Sequence, residues 1–188
     1  ISSEVTELIS NMKELYHNYK NNGFVVIPNL FDESKINDLL AETLRLCREE
    51  GSKLPKTHLL TNESRPPSSL DELSNDDLVS HFLALHFPHK MSSLFGSMLD
   101  APELVPFLVD LIGPNVKCMQ SMLFVKKAGK PGQAWHQDEH FIPTRDRSLT
   151  GVWIALDDAT IENGCLWVIP GSHKAGVLYP VRSPVSEE

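Results

Sequence analysis

The chain has 188 residues, 41% of them apolar and 22% charged, with a net charge of -8, the make-up of one soluble domain large enough to bury a core. So acidic a chain is a poor match for nucleic acid, and no apolar run approaches the ~18 residues of a membrane span. Cys47, Cys118 and Cys165 are odd in number and form no C-x-x-C pair, which argues against a disulfide framework or a zinc knuckle.

Buried, reduced thiols in a cytoplasmic or otherwise intracellular protein are the expectation. The sequence opens at Ile1 without a basic-then-apolar leader; lacking an initiator Met, it leaves organelle targeting open.

In chain order, Val5, Leu8, Ile9, Met12 and Leu15 repeat with the spacing of one helical face. Ser2 or Ser3 can cap that helix and Gly23 can end it. "FVVIPNLF" reads as a short buried strand, and Asp32 caps a second helix that Gly51 ends. Residues 52–75, rich in Pro, Ser and Asn, read as a long functional or mobile excursion with at most a short helix. Residues 76–99 look helical in pieces, broken at "FPHK", and "APELVPFLVDLIG" is a helix with Pro102 in its first turn.

From Val116 the pattern changes. "VKCMQSMLFVKK", "AWHQDEHFI", "LTGVWIALDD" and "CLWVIPG" are strand candidates separated by turn-rich stretches such as "AGKPGQ" and "DATIENG". Helices followed by consecutive strands predict an α+β fold with an antiparallel sheet or barrel, not a βαβ nucleotide fold. The expected organisation is a single domain over 1–188, mainly helical over 1–115 and strand-rich over 116–188.

"WHQDEHF", Trp135 to Phe141, carries two histidines and two carboxylates. Composition alone supplies roughly half an H-x-D in a chain like this, so the motif is weak by itself. On a strand, His136 and Asp138 share a face roughly 7 Å apart and can lean onto one metal, while His140 lies roughly 13 Å from His136 and falls outside its reach. A His and a carboxylate at i, i+2 suit the 2-His-1-carboxylate triad of non-haem Fe(II) oxygenases, completed by a distant second His. Asp157, Asp158 and Glu162 read as solvated turn residues. G-x-S-x-G, H-E-x-x-H and P-loop signatures are absent.

"WHQDEHF" followed by "GVWIALDDATIENGCLWVIPGSHKAG" resembles the phytanoyl-CoA dioxygenase family, and within it the branch of phytanoyl-CoA dioxygenase domain-containing proteins. The likeness is dense over about residues 116–178 and looser over the helices, where "YKNNGFVVIPNLFD" fits the family's opening. It implies an Fe(II)- and 2-oxoglutarate-dependent dioxygenase that hydroxylates a small organic or lipid-like substrate with O2. The fold it implies is a double-stranded β-helix, a cupin-like jelly roll, behind N-terminal helices.

The same resemblance makes His136 and Asp138 iron ligands. Met122 and Trp153 become walls of the 2-oxoglutarate pocket, with the apolar core as their alternative, and Lys90 a co-substrate contact, with the plain surface as its alternative. His173, in "PGSHK", fits the family pattern outside its iron site and is expected to pin the turn. The family's second iron His, and an Arg for the co-substrate's distal carboxylate, would follow beyond Glu188; His173 with Arg182 only imitates that order. Residues 1–188 are therefore expected to lack the last strands of the barrel and to be an incomplete catalyst. Two rival classes remain: a non-catalytic binding module on the same barrel, and a zinc or manganese hydrolase.

Overall fold

The computed structural model describes residues 3–49, 59–61, 70, 72–127, 129 and 132–178, with the backbone alone for 3–11 and 59–61. Several expectations fall outside these described positions: the capping role of Ser2, the side chains of Val5, Leu8 and Ile9, the helix stop at Gly51, most of the 52–75 excursion, and Arg182.

Helix α1, Ser3–Asn22, stops at Gly23, whose φ of 83° lies in the left-handed region that ends helices. The Gly23 N–H donates to the Tyr19 carbonyl at 2.8 Å. Helix α2, Glu33–Glu49, starts where the Asp32 carboxylate accepts the Lys35 N–H at 2.7 Å. Its buried residues Leu39, Thr43, Leu46 and Cys47 recur at i, i+4, i+7 and i+8, one helical face.

The sheet has three antiparallel strands in the order β1, Leu59–Thr61, β2, Phe82–His86, and β3, Met122–Phe124. Register pairs Leu60 with Ala84, Leu85 with Leu123, and His86 with Met122. Between β1 and β2 lies α3, Asn75–Ser80, capped by the Ser74 hydroxyl. After β2 come two short helices, α4, Pro88–Met91, and α5, Ser93–Ser97, then α6, Val105–Ile112. The core joins Leu46 and Cys47 of α2 to Leu70, Leu78, Phe82, Leu85 and Leu123. Helix and sheet thus share one buried cluster, an α+β arrangement.

Several expectations are overturned. β2 lies inside the stretch read as helical pieces; its Leu- and Ala-rich sequence favours helix locally, but pairing on both edges wins. "FPHK" does not break a helix: Pro88 begins α4, where its missing N–H is harmless. Helix α6 begins at Val105 with Pro106 in its first turn, not at Pro102. The sheet also joins β1 and β2 to β3, crossing the division at residue 115.

"FVVIPNLF", "LTGVWIALDD" and "CLWVIPG" form no ladder among the described residues, and "AWHQDEHFI" turns into a helix, α7, Asp138–Phe141. A strand needs a neighbour for its backbone groups, and none lies beside these segments within the described part. Several of their apolar side chains stay exposed, among them Val26, Trp153 at 52% and Trp167 at 60%, while others, such as Leu156, are partly buried against the core. Of the cysteines only Cys47 is buried, while Cys118 is exposed and Cys165 intermediate, all three free thiols.

Candidate active site

The H-x-D motif sits at a change of backbone shape. Gln137 is extended, with φ -120° and ψ 127°, and Asp138 begins the single turn of α7. That bend replaces the regular strand expected from the sequence. It brings His136 Nε2 to 3.3 Å from Asp138 Oδ1, far closer than a flat strand would place them. On the other side of the ring, His136 Nδ1 is 2.7 Å from the Ala134 carbonyl oxygen. Only a protonated Nδ1 can bond a carbonyl, which leaves Nε2 as the ring nitrogen that faces the carboxylate.

An imidazole nitrogen and a carboxylate oxygen are both donor types that a metal ion can take. An imidazole nitrogen fixed by a carbonyl on its far nitrogen, beside a carboxylate oxygen, is how histidine ligands are oriented. Two donors 3.3 Å apart can both reach one ion at bond lengths of about 2 Å. Among the described residues, no third His, Cys, Asp or Glu joins them. His140 follows Asp138 by two residues on α7, positions that do not face each other on a helix. The Phe141 ring packs edge-on against both imidazoles, 5.9 Å from His136 and 4.9 Å from His140.

Three neighbours that sequence reasoning missed shape this turn. Gln137, between the two donors, gives its amide N–H to the Gly176 carbonyl at 2.9 Å and accepts the Leu178 N–H at 2.7 Å. Its side chain thereby acts as a peptide unit for the segment after "PGSH". Glu139 accepts the Thr144 N–H and hydroxyl and the Leu149 N–H. Chiefly the Thr144 N–H holds its carboxyl below the usual carboxylate range. Gly151 stands against Asp138, where a Cβ would lie 3.6 Å from Oδ2. The polar pattern of "HQDEH" was a signal that more than ligands were present, but the partners are far away in sequence.

Trp153 follows two residues after Gly151 and so belongs to the segment beside Asp138. Met122 lies at the end of the β2–β3 ladder, and Lys90 on α4 just beyond the end of β2. Met122 pairs with His86, and the Lys90 ammonium lies 4.6 Å over the Phe87 ring. Lys90 is exposed and Met122 half-buried. His173 pins a turn, as expected, but onto a different element: its Nε2 lies 3.0 Å from the Lys20 carbonyl at the end of α1. The acids of "DATIENG" make turn bonds, including Asp158 N–H to Asp157 Oδ1 at 2.8 Å.

The family model described as Phytanoyl-CoA dioxygenase (PhyH) matches residues 19–184. A mouse protein named "Phytanoyl-CoA dioxygenase, peroxisomal" is 34% identical over 171 residues, covering 88% of this chain and 48% of the relative. An Arabidopsis thaliana phytanoyl-CoA dioxygenase is 54% identical over 94 residues, 50% of this chain and 33% of the relative. The zebrafish phytanoyl-CoA dioxygenase domain-containing protein 1 is 40% identical over 104 residues, 53% of this chain and 35% of its own length. The chain spans about half the length, or less, of these curated relatives.

Proposed function

The chain belongs to the phytanoyl-CoA dioxygenase family, and from that premise we propose that it serves an Fe(II)- and 2-oxoglutarate-dependent dioxygenase that hydroxylates a small organic or lipid-like substrate. The proposed core is the family's double-stranded β-helix. The observation that carries the reading is the His136 Nε2–Asp138 Oδ1 pair, with the far ring nitrogen committed to Ala134.

His136 and Asp138 would hold the iron. Bound there, iron and 2-oxoglutarate would supply the oxidising power, drawn from O2, for hydroxylation of a C–H bond. The chain's own share is positioning. The Ala134 carbonyl holds a proton on His136 Nδ1, which leaves Nε2 as the ring nitrogen for the iron. Gln137 ties the 176–178 backbone to the ligand turn, and Glu139 folds residues 144–149 back over it. Lys90 supplies a positive charge for a carboxylate of the co-substrate, and Met122 and Trp153 offer apolar walls. No helix of the described residues is long and apolar enough to cross a membrane, and three free thiols suit a reducing intracellular compartment, cytoplasmic or organellar.

Anaerobic titration of the protein with Fe(II) and 2-oxoglutarate should raise the weak visible charge-transfer band of the chelate, and Asp138→Ala should remove it. Full affinity in that variant would falsify the ligand assignment. A second reading, from another class, is a binding module without turnover. That module would bind ligands yet form no succinate from 2-oxoglutarate under air.

A further inference from the structure

Ser121 makes two bonds to the turn that follows β2. Its carbonyl accepts the Phe87 N–H at 2.8 Å, extending the ladder one step past the His86–Met122 pair. Its hydroxyl lies 2.5 Å from His89 Nδ1. Between these two bonds Phe87 is held at φ 58° and ψ 45°, the left-handed region, directly ahead of Pro88. A bulky side chain rarely adopts that conformation, and it persists only where the surroundings over-determine it. Buried Pro88 is one such constraint, and its carbonyl accepts the Ser92 N–H at 3.0 Å. Ser121 provides the other two.

The strained residue is also the support for Lys90. The Lys90 N–H donates to the Phe87 carbonyl at 2.9 Å, and its ammonium sits 4.6 Å over the Phe87 ring. Were Phe87 to relax to negative φ, both the ring and the Lys90 backbone would swing away from the Met122 end of the ladder. Such strain stored beside a ligand-contacting group is a way to fix its position before the ligand arrives.

We infer that Ser121 and His89 form a clamp that holds Phe87 in its left-handed turn and thereby positions Lys90 for a carboxylate of the oxo-acid co-substrate. This rests on the reading of Lys90 as a co-substrate contact. Ser121 and His89 are positioning residues, acting through Lys90. Either proton arrangement makes the bond, with the hydroxyl donating to Nδ1 or accepting from it. An asparagine at 89 can place an amide atom near Nδ1, and a threonine at 121 keeps the hydroxyl.

The test uses the whole protein with Fe(II), under argon for binding and under air for turnover. Ser121→Ala and His89→Ala should weaken 2-oxoglutarate binding and raise its KM about tenfold with kcat within about twofold, the pattern of lost uniform binding. His89→Asn and Ser121→Thr should recover most of that loss, and Lys90→Met should lose at least as much. In parallel, 2-oxoglutarate should protect Lys90 from an amine-acylating reagent, read by mass spectrometry, and both alanine variants should lessen the protection. Unchanged binding in His89→Ala and Ser121→Ala, with loss in Lys90→Met, overturns the clamp. Asparagine and threonine variants as weak as the alanine variants overturn it too. Unchanged binding in Lys90→Met overturns the reading of Lys90 itself.

Discussion

His136 Nε2 and Asp138 Oδ1 lie 3.3 Å apart because the backbone changes from extended to helical between them. A regular strand would place the two side chains on one face roughly 7 Å apart at their bases, and a helix would point them apart. The pair therefore acts as one unit. Removing either donor should lower Fe(II) affinity by at least about 100-fold, more than the loss of an outer-shell partner. Removing both should cost little more than removing one, because coupled residues are not additive. Metal titration of His136→Ala, Asp138→Ala and the double variant checks this, and fully additive losses would show two independent sites.

His140 should behave differently. It sits on α7 with its ring edge-on to Phe141, 4.9 Å between centroids. His140→Ala is expected to retain Fe(II) affinity within about threefold, below the 10- to 100-fold effect typical of groups that orient a ligand. A loss matching that of His136→Ala would place His140 on the metal.

The end of α1 offers a test of stability. Gly23 has φ of 83°, and a Cβ there would run into Nδ1 of His173. The same His173 bonds the Lys20 carbonyl, and the Gly171 N–H donates to the Asn22 carbonyl at 2.8 Å, so the "PGSH" turn serves α1's unpaired carbonyls. Gly23→Ala carries both the left-handed backbone cost, about 1–2 kcal/mol, and the collision. Its melting temperature should fall by at least about 3 °C on the usual scale for a chain of this size. Adding His173→Ala should relieve the collision but lose the cap, so the double variant should fall less than the sum of the two.

Glu42 gives a pH signature. The Arg45 guanidinium grips both of its oxygens, at 2.7 Å each, and chiefly this bond lowers its pKa from 4.5 to about 2, with Ser92 assisting. A carboxylate lowered by folding adds stability above its unfolded pKa, and that stability is lost as pH falls through the folded value. Denaturation midpoints should therefore decline between about pH 4.5 and 2. Glu42→Gln should be less stable at neutral pH and show a shallower decline. A parallel decline in both proteins would mean that the ion pair contributes nothing.

Periodicity made α1 and α2 legible because local propensity and burial agree there, as at Leu39, Thr43, Leu46 and Cys47. It failed at Phe82–His86, where the strand is dictated by neighbours 21 and more residues away. It failed in the opposite sense at "GVWIAL" and "CLWVIPG", whose β-rich composition meets no partner among the described residues. At the site, the identity of the His136–Asp138 pair was readable from spacing, but its geometry was not. Asp138 is an acceptable first residue of a helical turn, a preference that the alternating pattern of "HQDEH" concealed. The roles of Gln137 and Gly151 depend on contacts with residues 176–178 and with the Asp138 carboxylate, which only the folded chain reveals.

Cysteine chemistry separates the core from the surface without reference to iron. Burial pushes the Cys47 thiol up to about 12, with nearby Arg48 pulling weakly the other way, whereas Cys118 is exposed. The thiolate is the reactive species. A disulfide reagent at pH 8 should therefore modify Cys118 quickly, and Cys47 only at the rate at which the domain opens. Raising the pH should also destabilise the fold. The unfolded thiol ionises near 9 while the folded one holds its proton to about 12, so stability falls as pH climbs through that window. Cys47→Ala, although it leaves a small cavity, should abolish that component of the alkaline decline. Rapid labelling of Cys47 in the native protein would instead mean that the cluster of Leu46, Phe82 and Leu85 opens readily, and that the packing joining α2 to the sheet is looser than its burial implies.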